Sequence, residues 1–68
     1  MSVFAERLNQ VMQEKNMTAG MLALKAGLSP RMIQIYKKGK STPGTYNLNR
    51  LAAALGVTME WLVGEEKE

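Results

Sequence analysis

Lys15, Lys25, Arg31, Lys37, Lys38, Lys40 and Arg50 share a setting: no carboxylate lies among them. From Lys15 to Met59 the sequence has no acidic residue, and Asp is absent throughout. Glu6 and Glu14 precede this stretch; Glu60, Glu65, Glu66 and Glu68 follow it. Ammonium and guanidinium groups gathered without counter-charges make a surface that favours polyanions. The formal net charge of +3 understates this, because the acids are segregated to the ends. The chain has neither Cys nor His. It therefore lacks the common thiol nucleophile, the common general base and most of the donors zinc prefers. Its few carboxylates form no constellation with a nucleophile or metal ligand. These absences imply no enzyme, no metal and no cofactor, and no small-molecule ligand is expected.

Such side chains act only if short elements hold them, and 68 residues make one domain with one small core. A core of that size is marginal without disulfides or metal unless helices pack efficiently or the chain dimerises. The apolar spacing predicts five helices and no strand. Ser2 caps the first, which runs to about Glu14 with Phe4, Leu8, Val11 and Met12 inward, and Asn16 is its left-handed stop. Thr18 caps the second, which buries Leu22, Ala23 and Ala26 and ends at Gly27. Ser29-Pro30 opens the third, a capping residue followed by the residue whose fixed φ suits the first helical position. It reaches about Lys38, and Gly39 stops it. Lys40 to Gly44 is a loop. The fourth starts near Gly44 or Thr45 and ends near Leu55-Gly56. Its Leu48, Leu51 and Leu55 lie three and four apart, which is helical spacing. Thr58 caps a short fifth, anchored by Trp61 and Leu62, and Gly64 with the tail is expected to fray. No apolar run spans a bilayer. Glu6 and Arg7 interrupt any signal-peptide pattern. A cytoplasmic protein without a membrane partner is expected.

Thr18 to Gly39 carries the function. A helix-turn-helix needs a small residue where its helices cross, a Gly at the sharp turn, an apolar plug after it, a cap, and inward apolar residues on the second helix. Ala23, Gly27, Leu28, Ser29, Ile33 and Tyr36 fill these positions in one register. An ordinary helical hairpin needs no such set.

The segments FAERL, MT…LALKAGLS, Y-x-x-GK…P and LAAALGVTMEWLVG together resemble the Cro and repressor-type helix-turn-helix domains of lambdoid phages and their bacterial relatives. The resemblance runs from about Phe4 to Gly64. It implies a five-helix, lambda-repressor-like bundle that binds a double-stranded DNA operator as a two-fold dimer, with the recognition helix in the major groove. In domain terms, residues 1–64 would be the DNA-binding domain and 65–68 a short acidic tail. The setting implied is a bacterial cell or a phage-infected host.

Carried over position by position, the resemblance makes Pro30, Arg31, Met32 and Ile35 the base readers. Arg31 has a fork that matches guanine O6 and N7, while Met32 and Ile35 could pack on thymine methyls. Phosphate contacts fall to Thr18, Ser29, Gln34, Lys37, Lys38, Lys40, Ser41, Tyr46 and Asn47. The segment from Gly56 to Trp61 would pair the two copies through Val57, Met59 and Trp61, with Met59 exposed. So small a patch implies a dimer that is weak without DNA.

The sequence departs from these relatives in three places. Ala19 stands where a Gln usually helps hold a phosphate. Gly20 stands where a good helix former is expected. Met12 and Lys37 replace an Arg–Glu pair. The other reading is an antitoxin- or adaptor-like helix-turn-helix whose main partner is a protein, favoured by the apolar Met21, Leu24, Met32 and Ile35. An RNA binder would need aromatic stacking platforms that are missing.

Overall fold

A computed structural model describes residues 2–65; Met1 and the tail residues Glu66, Lys67 and Glu68 lie outside the described residues. Within 2–65 there are five helices and no strand: α1 (Val3–Glu14), α2 (Ala19–Ala26), α3 (Pro30–Lys37), α4 (Thr45–Leu55) and α5 (Met59–Val63). The all-α, five-helix expectation holds.

Hydroxyl caps start four of the helices. The side-chain oxygens of Ser2, Thr18, Ser29 and Thr58 accept the N–H groups of Ala5, Met21, Met32 and Trp61 respectively. Each cap satisfies a donor that the helix itself leaves orphaned, which stabilises it by about 1 kcal/mol. α4 follows Gly44 without a side-chain cap, and the Pro43 before it is buried.

All five helices end alike. A left-handed residue follows the last turn, at Asn16 and at the glycines 27, 39, 56 and 64. The next N–H then reaches back to a carbonyl five residues earlier: Met17 to Met12, Leu28 to Ala23, Lys40 to Ile35, Val57 to Ala52, and Glu65 to Glu60. This closure satisfies the last carbonyls. At Gly64, where fraying is expected from the sequence, it forms the left-handed cap of α5, with the Glu65 N–H bonded to the Glu60 carbonyl.

The core takes a contribution from every helix. Leu8, Leu22, Ile33, Leu51, Leu55 and Leu62 have no exposed surface, and Tyr36 and Phe4 meet edge to face with ring centroids 5.8 Å apart. Leu48, expected on the buried side of α4, is only half-buried and packs on the rim of the core. α2 packs on α3 and α4, and α1 on α3 and α5. α3 therefore has helices behind it and solvent in front. No helix among the described residues is long and apolar enough to cross a membrane.

Candidate nucleic-acid interface

The α2–turn–α3 unit is built as its sequence implies. Ala23 is buried, Gly27 is left-handed with φ 72°, and Leu28 packs against the core. Ser29 caps α3, Pro30 occupies its first turn, and Ile33 and Tyr36 point inward. A second constraint acts at Gly27. The Arg50 side chain lies over it, and a Cβ there would sit 2.5 Å from Nη1.

With the inner face of α3 fixed by Ile33 and Tyr36, helical periodicity sets the outer face. Pro30, Arg31, Gln34 and Lys38 are exposed and form one stripe. Ile35 and Lys37 flank it half-buried. Met32 is half-buried and packed on the core, so only its edge faces outward. Gln34 was assigned to the phosphates, yet it stands on the same stripe as Arg31. Its amide could donate and accept at a base edge.

Of the residues assigned to phosphate, Lys38, Lys40 and Ser41 are exposed at the end of α3 and the start of the loop, and Tyr46 is 70% exposed on α4. Thr18 and Ser29 use their oxygens as caps but keep an O–H to donate. Asn47 gives one amide N–H to the Tyr36 hydroxyl oxygen at 3.1 Å. It thereby braces α4 against α3, with one N–H left over.

Arg50 is the residue that sequence reasoning missed. Its Nη1 donates to the Ala26 carbonyl at 3.1 Å, and its Nη2 donates to the Tyr46 hydroxyl oxygen at 2.6 Å. The guanidinium also lies 4.8 Å from the Tyr46 ring centroid. It thus closes the end of α2, fixes the turn from above and orients an exposed Tyr whose O–H remains free to donate. Asn9 was missed too. Its Nδ2 donates to Ala5 O at 2.8 Å and to Lys37 O at 2.9 Å, tying the end of α3 to α1.

The surface expected to pair two copies is less open than the sequence suggested. Val57, Met59 and Trp61 are all half-buried and pack on the core. Met59 is therefore not the exposed knob expected; it lines a shallow pocket with Thr45, Leu48, Glu60, Val63 and Glu65. Trp61 is held to α1, because Arg7 stacks on its ring at 4.8 Å and donates to its carbonyl. Among the described residues, no cluster of His, Cys, Asp and Glu suits a metal ion.

A family model described as helix-turn-helix matches residues 8–62, which takes in α2, the turn, α3 and α4 whole. No curated protein matches the chain.

Proposed function

We propose that this chain, which belongs to the helix-turn-helix family of Cro/repressor-type DNA-binding domains, seats α3 in the major groove of an operator and acts there as a two-fold dimer. Family membership makes it a DNA-binding transcriptional regulator of double-stranded DNA, and a family of this kind is regulatory rather than enzymatic. The mode of engagement is our reading. Its main support is the exposed stripe Pro30–Arg31–Gln34–Lys38, which stands on a helix fixed from behind by Ile33 and Tyr36.

In this reading Arg31 and Gln34 read base edges, with Pro30 and the rims of Ile35 and Met32 supplying apolar contact. Lys37, Lys38, Lys40 and Ser41 take phosphates on one side of the groove. Thr18, Ser29, Tyr46 and Asn47 supply neutral donors to phosphates. Where relatives carry Gln, Ala19 has no side chain to offer. The Met21 amide is taken by the Thr18 cap, but the backbone N–H of Ala19 itself lies outside the helical ladder and can serve instead. One short helix is too small a footprint for tight specific binding, so a second copy one DNA turn away completes the site. Val57, Met59 and the free edge of Trp61 are the surface proposed for that pairing. Their partial burial fits a dimer that DNA strengthens.

The test is selection of bound duplexes from random DNA, followed by gel shifts on the selected site. A two-fold symmetric site with half-sites about one turn apart is expected, bound far more tightly than random duplex. Equal affinity for selected and random duplex would sink the sequence-reading role of α3.

A further inference from the structure

α2 carries a second outward face whose side chains the DNA-binding reading leaves unused. Leu24 is 86% exposed and Met21 52% exposed, while Gly20 and Lys25 complete that side of the helix. Met21, Leu24 and Lys25, with Lys15 and Met17, line an open groove of about 500 Å³ where the end of α1 meets α2, and Gly20 lies one helical turn before Leu24. A lone exposed Leu needs no explanation, but a contiguous apolar strip rimmed by charge does.

Gly20 adds an independent observation. It lies within a helix, where Gly is about 1 kcal/mol less favourable than Ala. Neither a left-handed turn nor close packing requires it: its φ is ordinary, and a Cβ there would meet only Thr18 Oγ1 at 3.9 Å. It precedes Leu24 by four residues, so it leaves bare backbone beside the most exposed large apolar side chain among the described residues. Bare helix surface lets another backbone approach closely.

We propose that this groove docks an acidic amphipathic helix of a partner protein, with apolar anchors against Met17, Met21 and Leu24 and carboxylates beside Lys15 and Lys25. Met lines grooves that adapt to varied helices, and the flanking cations select the partner's charge. The alternatives fit less well. Phosphates gain nothing from three apolar side chains. A second copy docked face to face would bring four lysines together. The acidic end of another copy, Gly64 to Glu68, has no apolar anchor to contribute. A membrane calls for a broad apolar face rather than three apolar side chains between two lysines. The inference does not depend on how α3 meets DNA.

The probe is a short synthetic helical peptide with two leucines one turn apart and flanking glutamates, titrated by fluorescence anisotropy into the full chain. Control peptides replace the glutamates with lysine or the leucines with serine. The acidic peptide should bind, and both controls should bind much more weakly. Leu24→Ser should weaken binding by about ten-fold or more, since an apolar anchor of that size is lost, and leave operator affinity unchanged. Gly20→Ala guards against a trivial loss of fold: it should raise the melting temperature yet weaken the peptide. Equal binding of the acidic and basic peptides overturns the proposal. So does an affinity that neither Leu24→Ser nor Gly20→Ala alters. Anionic phosphatidylglycerol vesicles bound through Leu24 in place of the peptide, or self-association that depends on Leu24, overturn it as well.

Discussion

Replacing Gly27 with Ala tests the turn on which the recognition helix depends. Two costs can be separated. Gly27 sits at φ 72°, and a left-handed non-Gly residue is less favourable by roughly 1–2 kcal/mol. The new Cβ would also lie 2.5 Å from Arg50 Nη1. A guanidinium ends a flexible chain, so it would swing away rather than strain the backbone. The loss is then its bond to the Ala26 carbonyl. A charged hydrogen bond contributes about 1.5–3 kcal/mol when shielded, but Arg50 is exposed, and solvent screening reduces this to about 0.5–1 kcal/mol. The sum is a destabilisation of about 1.5–3 kcal/mol, a drop in melting temperature of roughly 10–20 °C for a domain of this size. Urea unfolding followed by circular dichroism and by the single Trp, Trp61, would measure it. A double-mutant cycle with Arg50→Ala divides the two terms. Once Arg50 is gone, Gly27→Ala should cost only the backbone term, less than in the wild type by about 0.5–1 kcal/mol. Equal costs in the two backgrounds would refute the role of Arg50 above the turn. A neutral or stabilising Gly27→Ala would refute the left-handed turn itself.

Further outcomes are expected from the DNA side. Arg31→Ala should lose about 1–3 kcal/mol of operator binding and relax preference at one base pair; an equal loss on random duplex would make Arg31 a phosphate contact instead. Lys38→Ala and Lys40→Ala should each weaken all sequences alike and reduce the slope of log affinity against log salt by about one. A salt-independent affinity would remove the acid-free stretch from the interface. Met59→Glu should abolish the dimer in sedimentation runs with and without a palindromic duplex, while circular dichroism keeps the helical signal. An unchanged dimer would move the contact away from α5.

Most of the fold was legible because its signals are local. A hydroxyl three residues before the amide it caps, a Pro at a first turn, and a Gly or Asn after the last apolar residue all fall within one reading window. What escaped notice was long-range. Arg50 reaches the Ala26 carbonyl across 24 residues, Asn9 reaches Lys37 across 28, and Arg7 reaches Trp61 across 54. No spacing rule announces a side chain bound to a distant backbone carbonyl. Met59 was misjudged because α5 has five residues, too few for periodicity to separate a core-facing side from a solvent-facing one. Gln34, carried over from the resemblance as a phosphate contact, is exposed on the outer face of α3. Counting from the buried Ile33 and Tyr36 places it beside Arg31, a position from which a base edge or a phosphate is within reach.

These long-range bonds also account for how the fold tolerates its departures from the relatives it resembles. An Arg–Glu pair between α1 and the end of α3 would join the two helices through charge. Here Met12 is buried at 2% exposure, and the join is made by Asn9, a neutral amide that donates to a carbonyl at the end of α3. Bringing an amide and a carbonyl together costs far less desolvation than burying an ion pair, and it leaves no charge stranded if the contact loosens. Lys37 is half-buried and is joined to α1 through its backbone carbonyl rather than through its charge. The same logic holds at the turn. Arg50 binds a carbonyl and a phenol oxygen rather than a carboxylate, so its positive charge is not cancelled. By satisfying Arg50 with neutral oxygens, the chain braces the turn and leaves that positive charge of the acid-free stretch available to an anionic partner.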